Sequence, residues 1–241
     1  MPEINLLDRY PRTRRPIVAR GNLKLARGGR MASDPAASQT TEDLLVEHTL
    51  LQTARRFGRE YFDGDRLYGY GGYYYNPKYW TPTARRLHEY YQLAASASIL
   101  DIGCAKGFLL YDLKRLYPDL TVAGVDISPF AVESAPPEIK PFLHVNNAIR
   151  LPFPDRSFDL VVSINTVSNP ALEQCKQAIR EVMRVSRGRS FITVHAWRTE
   201  VQREKLMKWN LTAMTCMHVS DWEKIFTELN YTGDYYYWFA E

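Results

Sequence analysis

From Ser98 onward the chain alternates short apolar runs with stretches of helical spacing. SILDI (98–102), TVAGVD (121–126), FLHVNN (142–147), SFDLVVSIN (157–165) and SFITVHAW (190–197) read as strands, and the Tyr-rich end, YTGDYYYWFA, as a further one. The middle of 157–165 is apolar throughout, the pattern of a strand buried on both faces. Helices are predicted over 106–117, 129–135, 170–186, 199–210 and 220–229. In 170–186, Leu172, Cys175, Ile179, Val182 and Met183 fall on one face. Strand and helix in alternation predict an α/β fold, a mostly parallel sheet with helices on both sides.

Ahead of the sheet lies a different region. Val46, Leu50, Ala54, Phe57 and Tyr61 recur at helical intervals and predict an apolar face over 41–62. Residues 68–80, YGYGGYYYNPKYW, hold six tyrosines, one tryptophan and three glycines. Three glycines are wasteful in plain packing, so this stretch reads as a mobile loop, a lid or pocket wall, with Tyr70 among its candidate substrate contacts. Thr81-Pro82 carries the N-cap and N1 signal of a helix that runs to Leu93. The expected organisation is a basic arm and linker at 1–40, a helical cap with the Tyr/Gly-rich loop at 41–81, and an α/β domain at 82–241.

Composition changes little in this picture. Of the 241 residues 45% are apolar and 24% charged, which suits a globular chain. No apolar run is long enough to cross a membrane. The first residues lack a signal-peptide core, and the three cysteines, Cys104, Cys175 and Cys216, form neither a disulfide framework nor a zinc pattern. The expectation is a cytoplasmic protein with no metal. Charge changes the picture more. Residues 1–30 carry eight basic side chains against two acids, although the whole chain is only +4. The positive charge therefore belongs to the arm. It lacks an aromatic-plus-Arg stripe, so a solvated extension over its own body or over a neighbouring subunit of a homodimer is preferred to a nucleic-acid partner.

Ligands of open α/β sheets bind beyond the carboxyl ends of the strands. The first strand ends in Asp101-Ile102-Gly103-Cys104-Ala105-Lys106-Gly107 and the second in Asp126. Glycines there let backbone approach a ligand, the next helix offers free N–H groups, and Asp126 stands where an acid accepts from both hydroxyls of a ribose. A nucleoside-containing cofactor follows. A nicotinamide dinucleotide expects G-x-G-x-x-G, but this loop reads G-x-x-x-G with Ala105 in place of the second glycine. Asp101 would also repel a pyrophosphate, whereas it suits a cofactor with an ammonium group. Lys106, at the helix start, is expected to be solvated.

SILDIGCAKGFLL, then AGVDIS, then NNAIRLPFPDRSFDLVVSIN, then EVMRVSRGRSFIT, in that order and at that spacing, resemble the class I S-adenosylmethionine-dependent methyltransferases, and more narrowly their type 11 group. The resemblance is strong over 96–197 and implies a Rossmann-like, doubly wound, seven-stranded sheet with S-adenosylmethionine as cofactor. It implies that Asp101, Gly103, Cys104 and Gly107 line the methionine and ribose end. Asp126 would hold the ribose diol, Ile127 would pack on adenine, and Asn147 would stand where the family commonly has an Asp on the adenine amino group. Asn165 would lie near the sulfonium and the acceptor. Methyl transfer needs mainly proximity and orientation. A general base helps a hydroxyl or ammonium acceptor, and His195, at the end of the fifth strand, is the candidate, with Asp221 and the tyrosines of 68–75 behind it. The expected activity is O- or N-methylation of a small molecule, a sugar-containing or specialised metabolite. The alternatives are a nucleic-acid methyltransferase that uses the arm, and a non-catalytic cofactor-binding protein.

Overall fold

The computed structural model describes residues 3–7 and 41–240. The basic arm and linker expected at 1–40 thus fall outside the described residues, except for 3–7. The core is a seven-stranded sheet whose pairings are all parallel. β1 (Ser98–Ile102), β2 (Thr121–Asp126) and β3 (Leu143–Val145) run outward on one side, and β4 (Leu160–Ser163) and β5 (Ser190–Trp197) on the other, in the order β3-β2-β1-β4-β5. β7 (Asp234–Trp238) pairs with residues 191–195 of β5, and the short β6 (Met217–His218) with its tip. The winding direction reverses between β1 and β4, which opens a crevice above their carboxyl ends.

The central strands β1, β2, β4 and β5 are buried on both faces because helices cover both. One core joins α6 (Leu172–Val185) and α8 (Val219–Glu228) to the sheet through Ile179, Val182, Trp222 and Ile225. The other joins α3 (Pro77–Tyr91) and α4 (Phe108–Leu116) through Leu87, Leu109, Leu113 and Phe191. The predicted helices 129–135 and 199–210 are found as α5 (Pro129–Glu133) and α7 (Glu200–Trp209). The strand expected at 157–165 is shorter, and Asn165, just beyond it, has a left-handed backbone with φ of 53°.

The region before the sheet departs more from expectation. The predicted helix over 41–62 breaks into α1 (Thr41–Arg55) and α2 (Arg59–Phe62), where Phe57 turns left-handed with φ of 50°. α3 starts before Thr81-Pro82. Asn76 caps it by accepting from the Lys78 N–H at 3.0 Å, Pro77 takes the N1 place, and Pro82 lies inside the helix. Thr81 donates to buried Asp112 at 2.6 Å instead.

Residues 3–7 close the outer side of β7. Glu3 forms a parallel bridge with Tyr235, the Ile4 N–H donates to the Tyr235 carbonyl at 2.9 Å, and Glu3 also pairs with Arg198. Leu6 and Leu7 then turn into the α3–α4 core and are 2% and 3% exposed. Leu6→Ala is expected to lower the unfolding free energy by about 3 kcal/mol, the cost of a buried leucine and its cavity. Chemical denaturation measures this, and a cost of a few tenths would show that the segment adds nothing to the core.

Candidate active site

Above β1 and β4 lies a cavity of about 280 Å³. Its floor comes from the strand ends. After β1 the chain turns sharply at Gly103, whose N–H donates to the Val125 carbonyl at 2.6 Å. Its φ is +81°, and a Cβ there would overlap the Thr166 side chain, so only glycine fits. Ala105 follows, also left-handed with φ of 50°, at an intrinsic cost of about 1 kcal/mol. The turn is held because the Ala105 N–H donates to Asp126 Oδ2 at 2.8 Å. The Ser128 N–H donates to Asp126 Oδ1 at 2.8 Å. The Ile127 N–H also reaches the Asp126 carboxylate, which keeps acceptor capacity beyond these bonds.

Asp101 differs. It is 5% exposed and lines the cavity, and no described donor reaches its carboxylate. Burial, with Asp126 beside it, raises its pKa to about 7. Burial raises that of Asp126 too, against the backbone hydrogen bonds that lower it. The floor is therefore two desolvated carboxylates with no paired cation among the described residues, a setting that favours a positively charged ligand group.

Of the residues singled out in the sequence, Tyr70, Asp101, Gly103, Cys104, Asp126, Ile127, Asn147 and Asn165 all line this cavity. Half-exposed Ile127 offers an apolar face. Asn147 Oδ1 already accepts from the Ile149 N–H at 3.1 Å, and Asn165 is fixed by Thr193, which donates to its Oδ1 at 2.7 Å. Burial pushes the Cys104 thiol well up, out of the thiolate range.

Gly107 and His195 do not line the cavity. Gly107 is the left-handed N-cap of α4, and a Cβ there would meet Leu143 Cδ1 at 2.9 Å, so its place is structural. His195 lies two residues inside the tip of β5, 3% exposed, with its ring against Trp209 and Trp238 and Nδ1 2.8 Å from Ser168 Oγ. Desolvation lowers its pKa to about 4, so it is neutral, but it is walled off from any acceptor in the cavity. Asp221 is exposed on α8, held by Lys224, and likewise lies outside the lining.

The cap forms the roof. Phe57, Tyr61, Phe62, Tyr70 and Tyr73 line it, with the rings in mutual contact. The Tyr-rich stretch is tethered along its length. Tyr70 and Gly72 donate backbone N–H groups to Tyr61 and Phe62, Tyr73 stacks on Phe108, and Tyr75 donates its hydroxyl to Asp112 at 2.5 Å. Two bonds fasten the cap to the floor loops. Ser128 Oγ, which caps α5, donates to the Phe57 carbonyl at 2.5 Å. Lys106 is not solvated: its ammonium is buried and reaches both Asp63 oxygens at 2.8 Å. Sequence reasoning missed that pair, and it missed Arg55, Thr166, Asn169, Gln174, Thr212 and Met214 in the lining. Thr166 and Asn169 follow the end of β4, so the strand-end rule could have found them; the others carry no local signal.

The Lys106–Asp63 pair makes an asymmetric prediction. Asp63→Asn leaves a buried ammonium without its counter-charge and is expected to cost about 3 kcal/mol, whereas Lys106→Met, which leaves a more exposed carboxylate and keeps the apolar stem, is expected to cost about 1 kcal/mol. Denaturation of the two variants and of the double variant tests this, and equal small losses would show that the pair does not hold the roof.

A family model described as a methyltransferase domain matches residues 93–240. Similar curated proteins include the 2-methyl-6-phytyl-1,4-hydroquinone methyltransferase of Synechocystis sp., 28% identical over 225 residues, which are 85% of this chain and 64% of that protein. The ajmaline N-methyltransferase of Rauvolfia serpentina is 32% identical over 40% of this chain and 35% of its own length. The chain thus spans less than two thirds of the length of these relatives. Among solved structures, the YcgJ protein of Bacillus subtilis shares the fold with a TM-score of 0.50 at 20% identity, over 61% of this chain and 66% of that one. Since the family match takes in the whole sheet and both walls of the crevice, the chain belongs to the methyltransferase-domain family, in the class I group whose methyl donor is S-adenosylmethionine.

Proposed function

We propose that the chain methylates an oxygen or nitrogen of a small molecule and that the residues above divide the work as follows. The observation that carries this reading is Asp101, a buried carboxylate with no described donor, facing the cavity. It fits the ammonium of the donor's methionine part. Asp126 takes the ribose hydroxyls with its spare lone pairs, Ile127 packs against the adenine, and Asn147 stands beside it. Gly103 lets the donor lie close to the backbone. The bound donor supplies an electrophilic methyl group on a sulfonium. The protein's own share is to orient, to exclude water and to hold the acceptor against the methyl carbon.

The acceptor lies under the aromatic roof, near Asn165, Asn169 and Thr212. Flat ring faces of tyrosine and phenylalanine suit a planar ring or a sugar. The relatives' names, a hydroquinone and an alkaloid methyltransferase, support the same class.

Calorimetric titration with S-adenosylmethionine and S-adenosylhomocysteine, with NAD as control, tests the donor site. Micromolar binding of the sulfur nucleosides is expected, weakened about 100-fold or more by Asp126→Ala. The raised pKa of Asp101 adds a pH signature. In the ligand-free protein this Asp opposes folding as it ionises, so stability is lost as pH rises from its ordinary value of 3.8 through about 7. Asp101→Asn should therefore stabilise the ligand-free protein at pH about 8, by roughly 2–4 kcal/mol, while it weakens nucleoside binding. The bound ammonium favours the ionised form, so binding near pH 7 releases a proton, and affinity falls as pH drops below about 7. Failure of either sulfur nucleoside to bind overturns the reading.

A further inference from the structure

The cavity lining holds one cation among the described residues, and that cation has no described partner. Arg55 ends α1 as an exposed residue on the cavity's lining, and its guanidinium makes no hydrogen bond or ion pair among the described residues. Its element is fixed in place. Ala54 is fully buried beside it, Phe57 is tied to Ser128, and Leu211 of the loop between α7 and β6 packs on the same cluster. The last turn of α1 therefore stands between α5 and that loop, whose Thr212 and Met214 also line the cavity. The other basic residue near the site, Lys106, is committed to Asp63.

A second, independent observation concerns protons. The described lining contains no His, Glu or Lys. Its tyrosines carry phenolic hydroxyls, each both a donor and an acceptor. The Cys104 thiol is pushed well up, and His195 is closed off behind tryptophans. The carboxylates, Asp101 and Asp126, belong to the donor on the reading above. An alcohol or an ammonium ion would have to lose its proton in a site whose described lining offers no other base. An acceptor that arrives as an anion avoids that step and brings the charge that Arg55 lacks.

We propose that Arg55 is a specificity-determining residue and that the acceptor is an acidic hydroxyl, of a phenol, an enol or a carboxylic acid, bound as its anion. The inference rests on the small-molecule reading above. The oxyanion's lone pair forms the new bond to the methyl carbon, the carbon–sulfur bond breaks, and its electron pair stays on sulfur. The positive and negative charges cancel and no proton is moved. Arg55 pairs with the anion through a planar fork of N–H donors that matches an oxyanion or carboxylate.

The test uses the full chain loaded with S-adenosylhomocysteine, so it does not depend on turnover. Paired probes are titrated by calorimetry: para-nitrophenolate against para-nitrobenzyl alcohol, and benzoate against benzamide. The anion of each pair is expected to bind at least about tenfold more tightly, as a charge-assisted pair allows. Arg55→Gln should abolish that preference and leave the affinity for S-adenosylhomocysteine unchanged, and Arg55→Lys should restore part of it. Equal binding within each pair, or no binding of either member, overturns the proposal and leaves the donor site standing. A fall in S-adenosylhomocysteine affinity in Arg55→Gln with the anion preference intact also overturns it, because Arg55 would then serve the donor. If the nucleoside does not bind the unaltered chain, it is the proposed function that falls.

Discussion

Two carboxylates buried side by side with no cation set the terms for this site. Asp101 and Asp126 sit on adjacent strands, β1 and β2, at the carboxyl ends where the sheet would otherwise be sealed by apolar side chains. Keeping them there costs stability through desolvation and mutual repulsion. Asp126 offsets part of its cost by fixing the loop that turns over it, through Ala105 and Ser128. Asp101 has no such offset, and the burden is relieved when a ligand brings a positive charge. The glycine turn, the left-handed alanine and the short helix α5 are arranged around that one electrostatic demand.

The roof is a second layer of the same logic. It is aromatic and apolar toward the cavity, packs on Ala105, Phe108 and Ala131, and is tied to the floor loops by two polar links besides. Lys106–Asp63 and Ser128–Phe57 both start from the loops that carry the two carboxylates. Floor and roof therefore share residues. Ser128 caps α5, donates to the roof and presents its N–H to Asp126. Phe57 in the roof is thus two hydrogen bonds from the Asp126 carboxylate, by way of Ser128.

The strand and helix order after Ser98 was legible in sequence, because burial on both faces leaves long apolar runs and each crossover helix has a clear apolar face. The floor residues were legible for a related reason: a parallel sheet puts its strand ends in one place. What failed were matters decided at a distance. Lys106 reads as solvated because its partner, Asp63, is remote in sequence. His195 reads as a candidate base at a strand end, yet β5 runs on to Trp197 and the indoles of Trp209 and Trp238 close over the ring. The start of α3 was placed at Thr81-Pro82 because Asn76-Pro77 carries the same signal, and the choice between them depends on what Thr81 meets in the folded chain, the carboxylate of Asp112. The Tyr/Gly-rich stretch reads as mobile from its composition, but its glycines let the backbone pass close to Tyr61, where a Cβ at Gly69 would overlap the Tyr61 carbonyl.

The bond from Ile4 to Tyr235 joins segments at opposite ends of the sequence. On the ribosome, residues 3–7 emerge long before the strand they pair with is made. Leu6 and Leu7 must therefore stay exposed, or be held by something else, until that strand has emerged. The segment that leads them into the α3–α4 core is held in register by β7, through Ile4 and Tyr235. Contacts of such long range are slow to form. Until that contact forms, an apolar leucine pair and an open sheet margin are available to chaperones.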